Sequence, residues 1–255
     1  MRTLLIAAFA SIALEVQIIP VSSRAPMQTR IPGPGGFGTG GSGGGSGPTL
    51  VASVCWPSAS GGGGGTSSAI DTTGATYVQF LIASANGGAG VSSPTDSKGN
   101  SWTLELNPGL NPPDIQLVNT TSAPVVGSSH TFTVTGSGQS MGACVLAWSG
   151  VPSTGNYEGA SSGNNTTATT VQGGSVTPGS GSQIVVSGLA VYSTTCNSPA
   201  INGGFSAPIG IGGVSGQAIG MFVSYLLQTG STAQNPVWTC GSSTVISAIN
   251  IAQKG

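Results

Sequence analysis

From Ser11 to Ile18 apolar and polar residues alternate strictly, with Ile12, Leu14, Val16 and Ile18 on one side and Ser11, Ala13, Glu15 and Gln17 on the other. A period of two is that of a strand, whose successive side chains point to opposite faces. From Thr49 onward the same period, or a short apolar run bounded by Gly, Ser, Pro and Asn, recurs along the chain, and no stretch keeps helical spacing for three turns. The pattern predicts strands at Leu50 to Trp56, Ala75 to Ser84, Ser101 to Leu106, Ile115 to Asn119, His130 to Thr135, Met141 to Trp148, Gln183 to Tyr192, Ile219 to Leu227 and Thr244 to Ala252. Trp102, Leu104 and Leu106 alternate with Ser101, Thr103 and Glu105, as in a sheet with one wet face. The expected fold is all-β: a two-sheet antiparallel β-sandwich, Ig-like or jelly-roll-like, preceded by an extended N-terminal arm.

Arm and head are separated by residues 31–48, IPGPGGFGTGGSGGGSGP, whose glycines lose too much entropy on ordering to join a core. A flexible linker of this length has an r.m.s. span of about 25 Å. The chain therefore divides into an apolar segment at 1–30, a linker at 31–48 and a head at 49–255, with Gly61 to Gly65 as a second flexible loop inside the head.

The first segment has two readings. Arg2 followed by the apolar Thr3 to Leu14 has the form of a secretory signal, but Ala8-Phe9-Ala10 lies early for cleavage, and a cut after Ala25 would leave Pro26 next. Glu15 and Gln17 interrupt the apolar run short of the roughly 18 residues a membrane span requires. Retained as an arm, the alternating strand presents an unpaired backbone edge, which would be covered by adding to a sheet of a neighbouring subunit, with Ile12, Leu14, Val16 and Ile18 filling its pockets.

Composition narrows the function classes. Only 4% of the 255 residues are charged and the net charge is −1, where ordinary soluble domains carry about 25% charged residues. An apolar fraction of 38% and a mean hydropathy of +0.24 point to a folded chain rather than a disordered one. Arg2, Arg24, Arg30, Lys98 and Lys254 are too few and too scattered for a phosphate-binding stripe, so nucleic acid is not an expected partner. A near-neutral surface tolerates close packing against other copies.

Cys55, Cys144, Cys196 and Cys240 include no C-x-x-C pair, which removes zinc and thioredoxin-like readings. Of the three pairings, Cys196 with Cys240 is favoured, because each sits where an apolar strand pattern gives way to polar turn residues; four buried free thiols are the alternative. Catalytic groups are scarce. His130 is the only histidine, no G-x-S-x-G elbow accompanies it, and Asp71, Asp96 and Asp114 are the aspartates a Ser-His-Asp arrangement would draw on. The acids form no close pair for glycoside hydrolysis. Asp96-Ser97-Lys98-Gly99-Asn100 reads as a tight turn whose Asp accepts local N–H bonds rather than a calcium loop, since Lys98 fills a ligand position. No metal, cofactor or catalytic residue is expected.

Among the aromatics, Trp102 goes to the core by alternation, whereas Trp148 and Tyr157 flank the polar loop Ser149 to Asn156 and are the candidate glycan contacts. Sequons for N-glycosylation begin at Asn119, Asn164 and Asn165.

The turn Thr95 to Trp102, the run Ser129-His130-Thr131-Phe132-Thr133-Val134, the segment Leu146 to Val151, and Val237-Trp238-Thr239 with Ile246 to Ile249 together resemble a family of Gly/Ser/Thr-rich β-sandwich domains. Its members belong to bacterial surface proteins and tailed-phage virion proteins. The resemblance covers residues 49 to 254 and implies display or adhesion, with no catalytic residues to carry over. The Gly61 to Gly65 insertion and the apolar arm depart from the pattern. The leading expectation is a non-catalytic structural or display protein of a virion or extracellular surface, anchored through its arm to neighbouring copies or other subunits. The second is a secreted carbohydrate-binding or adhesion module with a cleaved signal peptide.

Overall fold

Val, Leu, Ala and Ile dominate the apolar runs, and the β-branched Val and Ile among them pack well on a pleated surface. A computed structural model of the chain describes residues 47–57, 63–85, 93–110, 112–120, 122–136, 140–192, 194–213 and 219–255. They belong to one compact unit that begins at Gly44. The arm positions Ile12, Leu14, Val16 and Ile18 lie outside the described residues, as do the sequence-expected signal and most of the linker.

The strands are β1 (Thr49–Pro57), β2 (Gly65–Thr66), β3 (Tyr77–Ser84), β4 (Thr95–Asp96), β5 (Trp102–Leu106), β6 (Asp114–Thr120) and β7 (Phe132–Val134). They continue as β8 (Met141–Ser149), β9 (Tyr157–Gln172), β10 (Ser182–Tyr192), β11 (Ala200–Ile201), β12 (Ile209–Ile211), β13 (Ile219–Thr229) and β14 (Val237–Lys254). No helix occurs among the described residues, so none there is long and apolar enough to cross a membrane. All strand pairs are antiparallel: a five-stranded sheet ordered β1-β8-β3-β6-β5, a six-stranded sheet built on β11-β14-β10-β13-β12 with β9 along β14, and a small sheet β2-β7-β4.

The two large sheets pack face to face as a β-sandwich. Tyr77, Leu81, Leu117, Leu146 and Trp148 of the first meet Ile184, Val186, Met221, Val223 and Ile249 of the second in the main core. At Gly188 the sheets come so close that a Cβ would stand 2.7 Å from Leu81 Cδ2. The outer face of the first sheet is covered as well. Val78, Phe80, Ile82, Val145 and Ala147 pack against Phe132 and Val134 of the small sheet, with Phe80, Trp102 and Phe132 in edge-to-face contact. Central strands covered on both faces read as continuous apolar runs, which is why β3 and β8 show little alternation.

Two sequence expectations are corrected here, and one strand stands where none was expected. Leu104 is 51% exposed on edge strand β5, and a bulge between Leu104 and Leu106 puts Leu106 against the main core while Trp102 packs in the outer cluster, so the three do not share one buried face. The Gly61 to Gly65 run is built into the fold at its end: Gly65 opens β2 and accepts from Trp56 Nε1 at 3.0 Å, and a Cβ on Gly64 would collide with Val134 O. Residues 61 and 62 lie outside the described residues. Finally, the 16-residue β9, which has no apolar alternation, forms an edge of the second sheet.

The two ends of this unit lie together. Gly255 donates to Ser182 O at 2.9 Å and abuts Pro48, just before β1. At the far end of the same sheet, Tyr192 pairs with Ile219 and Val245, and the chain beyond it carries Cys196 to a disulfide with Cys240.

Candidate functional site

His130 lies just ahead of β7, bridged to Ile70. At the turn that delivers it, Ser129 takes φ 54°, a left-handed conformation uncommon outside glycine. His130 is fully buried and stacks on Phe132 with centroids 4.1 Å apart. Its Nδ1 lies 2.9 Å from Thr72 Oγ1, and its Nε2 lies 3.2 Å from Asp96 Oδ1, close enough for an ion pair but out of line for a hydrogen bond.

Thr72, His130 and Asp96 have the order of a nucleophile, base and carboxylate, yet the threonine hydroxyl is committed to the backbone. Thr72 Oγ1 donates to Gly127 O at 3.2 Å and accepts from Gly127 N at 3.1 Å, and Thr72 is itself fully buried. Asp96 acts as the hub of its turn, its Oδ1 accepting from Lys98 N at 2.7 Å and its Oδ2 from Trp102 Nε1 at 2.9 Å. Gly99 supplies the positive φ of 75° that this turn needs. The group clasps three segments: 70–73, 95–102 and 127–132.

Burial pushes the Asp96 carboxyl up, but His130 and the N–H groups of Lys98 and Asn100 outweigh it and hold the group below the usual carboxylate range. A carboxyl depressed in the fold contributes stability above its unfolded pKa of about 3.9, and that contribution is lost as pH falls through the folded value. Asp114 has the opposite sign. Burial pushes it up, with bonds from Leu110 N and Ile115 N opposing, so its protonation favours the fold. The stability gap between the wild-type chain and Asp96→Asn is therefore expected to be largest near neutral pH and to shrink below about pH 4. Thermal melts of both proteins across that range check it, and a gap that widens on acidification would contradict the assignment.

The aromatic pair proposed for glycans separates. Trp148 is wholly buried between the sheets, edge-on to Tyr225 at 5.0 Å, because β8 is covered on both faces. It is a core residue, which corrects the sequence expectation. Tyr157 is half-buried and borders a groove of about 340 Å³. Thr103 and Glu105 of β5, Asn119 and Thr120 of β6, the turn at 153–155, and Asn156 complete its wall. The Asn119 sequon is engaged in the fold, since its buried side chain accepts a hydrogen bond from the Tyr77 hydroxyl.

Behind the groove, Gln253 Nε2 donates to the Tyr77 hydroxyl at 2.8 Å and to Gln79 Oε1 at 3.1 Å, joining the two sheets through polar side chains. Desolvation pushes the Tyr77 phenol far above its ordinary range, so it stays protonated as a donor. Burial, and then the Glu105 carboxylate, push the Tyr157 phenol up as well. Thr103 stands opposite Asn119 in the β5–β6 register, Glu105 follows on β5, and Asn156 joins them from the turn before β9.

The structure bonds Cys196 to Cys240, and it also bonds Cys55 to Cys144, a pair that sequence reading left unassigned. Cys55 and Cys144 face each other in the β1–β8 register. No group of three or more His, Cys, Asp or Glu placed to hold a metal ion occurs among the described residues. The chain matches no protein-family model, no curated protein and no solved structure.

Proposed function

We propose that the protein is a non-catalytic display or structural component of an extracellular or virion surface, held by its N-terminal arm. The observation that carries this reading is the placement of the two ends of the head. The linker reaches β1 beside Gly255, while the disulfide between Cys196 and Cys240 braces the loops at the far end of the sheet. A domain tethered at one end can present the other outward.

Two disulfides fit an oxidising compartment, which includes extracellular and virion surfaces. A surface with few charges favours close packing among neighbours. The likeness of residues 49 to 254 to surface and tailed-phage β-sandwich domains points the same way. The one histidine is sealed in a clasp whose threonine hydroxyl is already bonded, which supports a structural rather than a hydrolytic role for Thr72, His130 and Asp96.

The arm is the part to test. Replacing Leu14 and Val16 with Asp in the full chain is expected to abolish association in sedimentation experiments while leaving the melting temperature of the head unchanged. Association that tolerates both charges, or native protein whose N-terminal sequence starts near residue 26, would remove the arm from the assembly and favour a secreted module.

A further inference from the structure

We propose that the groove beside Tyr157 is a binding site for a neutral, hydroxyl-rich saccharide. It lies at the open side of the sandwich, between β5 at the edge of the first sheet and the start of β9 at the edge of the second. Among the described residues each of these strands pairs on one side only, β5 with β6 and β9 with β14. Their outer edges therefore present peptide groups beside the wall of polar side chains, as a ligand with many hydroxyls requires.

The charge of the wall selects the ligand class. Glu105 is the single carboxylate among the described residues that line it, and none of them is a lysine, arginine or histidine. An anionic ligand would meet a carboxylate with no cation to offset it, whereas a carboxylate accepts readily from neighbouring hydroxyls. The Tyr157 phenol, held above its ordinary range by burial and by Glu105, keeps its proton and serves as a donor. Its ring, packed partly against the main core, adds the rigid apolar edge that a sugar's C–H face can lie against.

The site is fixed in place from behind. Asn119 is held by the Tyr77 hydroxyl, and Lys254 N donates to Asn156 O at 2.8 Å, tying the 153–156 turn to β14. Thr120 is only 6% exposed, and its hydroxyl has no hydrogen-bond partner among the described residues, a buried polar group left over by the fold itself. A volume of about 340 Å³ falls in the range of small-molecule sites. By contrast, the larger hollow of about 470 Å³ at Gly47 to Thr49 and Ser182 lies where the linker joins the head.

The inference does not depend on the arm or on assembly. The full chain would be titrated with cellobiose, maltose, lactose, chitobiose and mannobiose by saturation-transfer NMR and calorimetry, with sialyllactose as the anionic counterpart. At least one neutral disaccharide is expected to bind, and Glu105→Gln is expected to weaken it about tenfold through loss of a charged acceptor. Because Glu105 is exposed, that variant should melt with the wild-type chain. Tyr157→Phe, which keeps the ring packing, tests the phenol separately and should also weaken binding. The proposal is overturned if no disaccharide of the panel binds, if both variants bind as tightly as wild type, or if sialyllactose binds better than lactose.

Discussion

Removing the disulfide between Cys55 and Cys144 by double substitution to Ala is expected to lower the stability of the head by roughly 4 to 5 kcal/mol, and removing that between Cys196 and Cys240 by about 4 kcal/mol. The order follows from loop length, 89 residues against 44, because a longer closed loop takes more entropy from the unfolded chain. For a unit of this size the loss corresponds to a fall in melting temperature of about 10 °C for either bridge. Both bridges lie within apolar clusters, Cys55 and Cys144 against the main core and Cys196 and Cys240 beside Trp238 and Val171. Replacement by Ala therefore leaves small voids that add to the effect. Guanidinium melts of the two double variants, with and without reductant, check the values. Stabilities unchanged by substitution, or free thiols in freshly isolated protein, would contradict the pairing and point to a reducing site of assembly.

Besides the bridges, with charged residues only 4% of the chain, the fold relies on neutral polar side chains. On the outer face of the second sheet, Trp238 Nε1 donates to Ser187 Oγ at 2.8 Å, Ser187 Oγ to Asn250 Oδ1 at 2.7 Å, and Asn250 Nδ2 to Gly174 O at 2.7 Å. This chain of bonds pins the loop after β9 onto the sheet. Fully satisfied networks of this kind specify one arrangement of a core that apolar packing alone would leave less defined.

How much of this was legible in the sequence depended on whether the signal was local. Nine runs of alternating or continuous apolar residues marked eight of the longer strands and the short β7, because burial imposes its period directly on the chain. The Asp96 turn was legible too, since Asp, Lys and Gly at those positions satisfy its bonds and its positive φ within five residues. β9 was not. Its run YEGASSGNNTTATTVQ carries no apolar face, and it is a strand because β14 offers it a partner along nearly its whole length. The pairing of Cys55 with Cys144 required the β1–β8 register, and the meeting of Asp96 with His130 required the small third sheet. Of the groove residues only Tyr157, as an aromatic beside a polar loop, and Asn119, as a sequon, were marked in the sequence; Thr103, Glu105, Thr120 and Asn156 were not, because the wall is assembled from β5, β6 and the turn before β9.

Trp148 shows most sharply how a local reading fails when a strand is covered on both faces. It precedes a polar loop and so looks available to a ligand, yet in the structure it is one of the largest fully buried side chains. Trp148→Ala is therefore expected to cost about 3 to 5 kcal/mol, the range for emptying a large aromatic from a core. Tyr225 would lose its edge-to-face partner, and the cavity would open between the two sheets, where backbone pairing on both sides leaves little room to collapse. Trp148→Phe should cost far less. The indole Nε1 has no hydrogen-bond partner among the described residues, so removing that buried donor offsets part of the lost volume. Equilibrium unfolding of the two variants in guanidinium measures the difference directly. A Trp148→Ala protein as stable as wild type would mean that the indole faces solvent, and would restore it as a candidate ligand contact beside Tyr157.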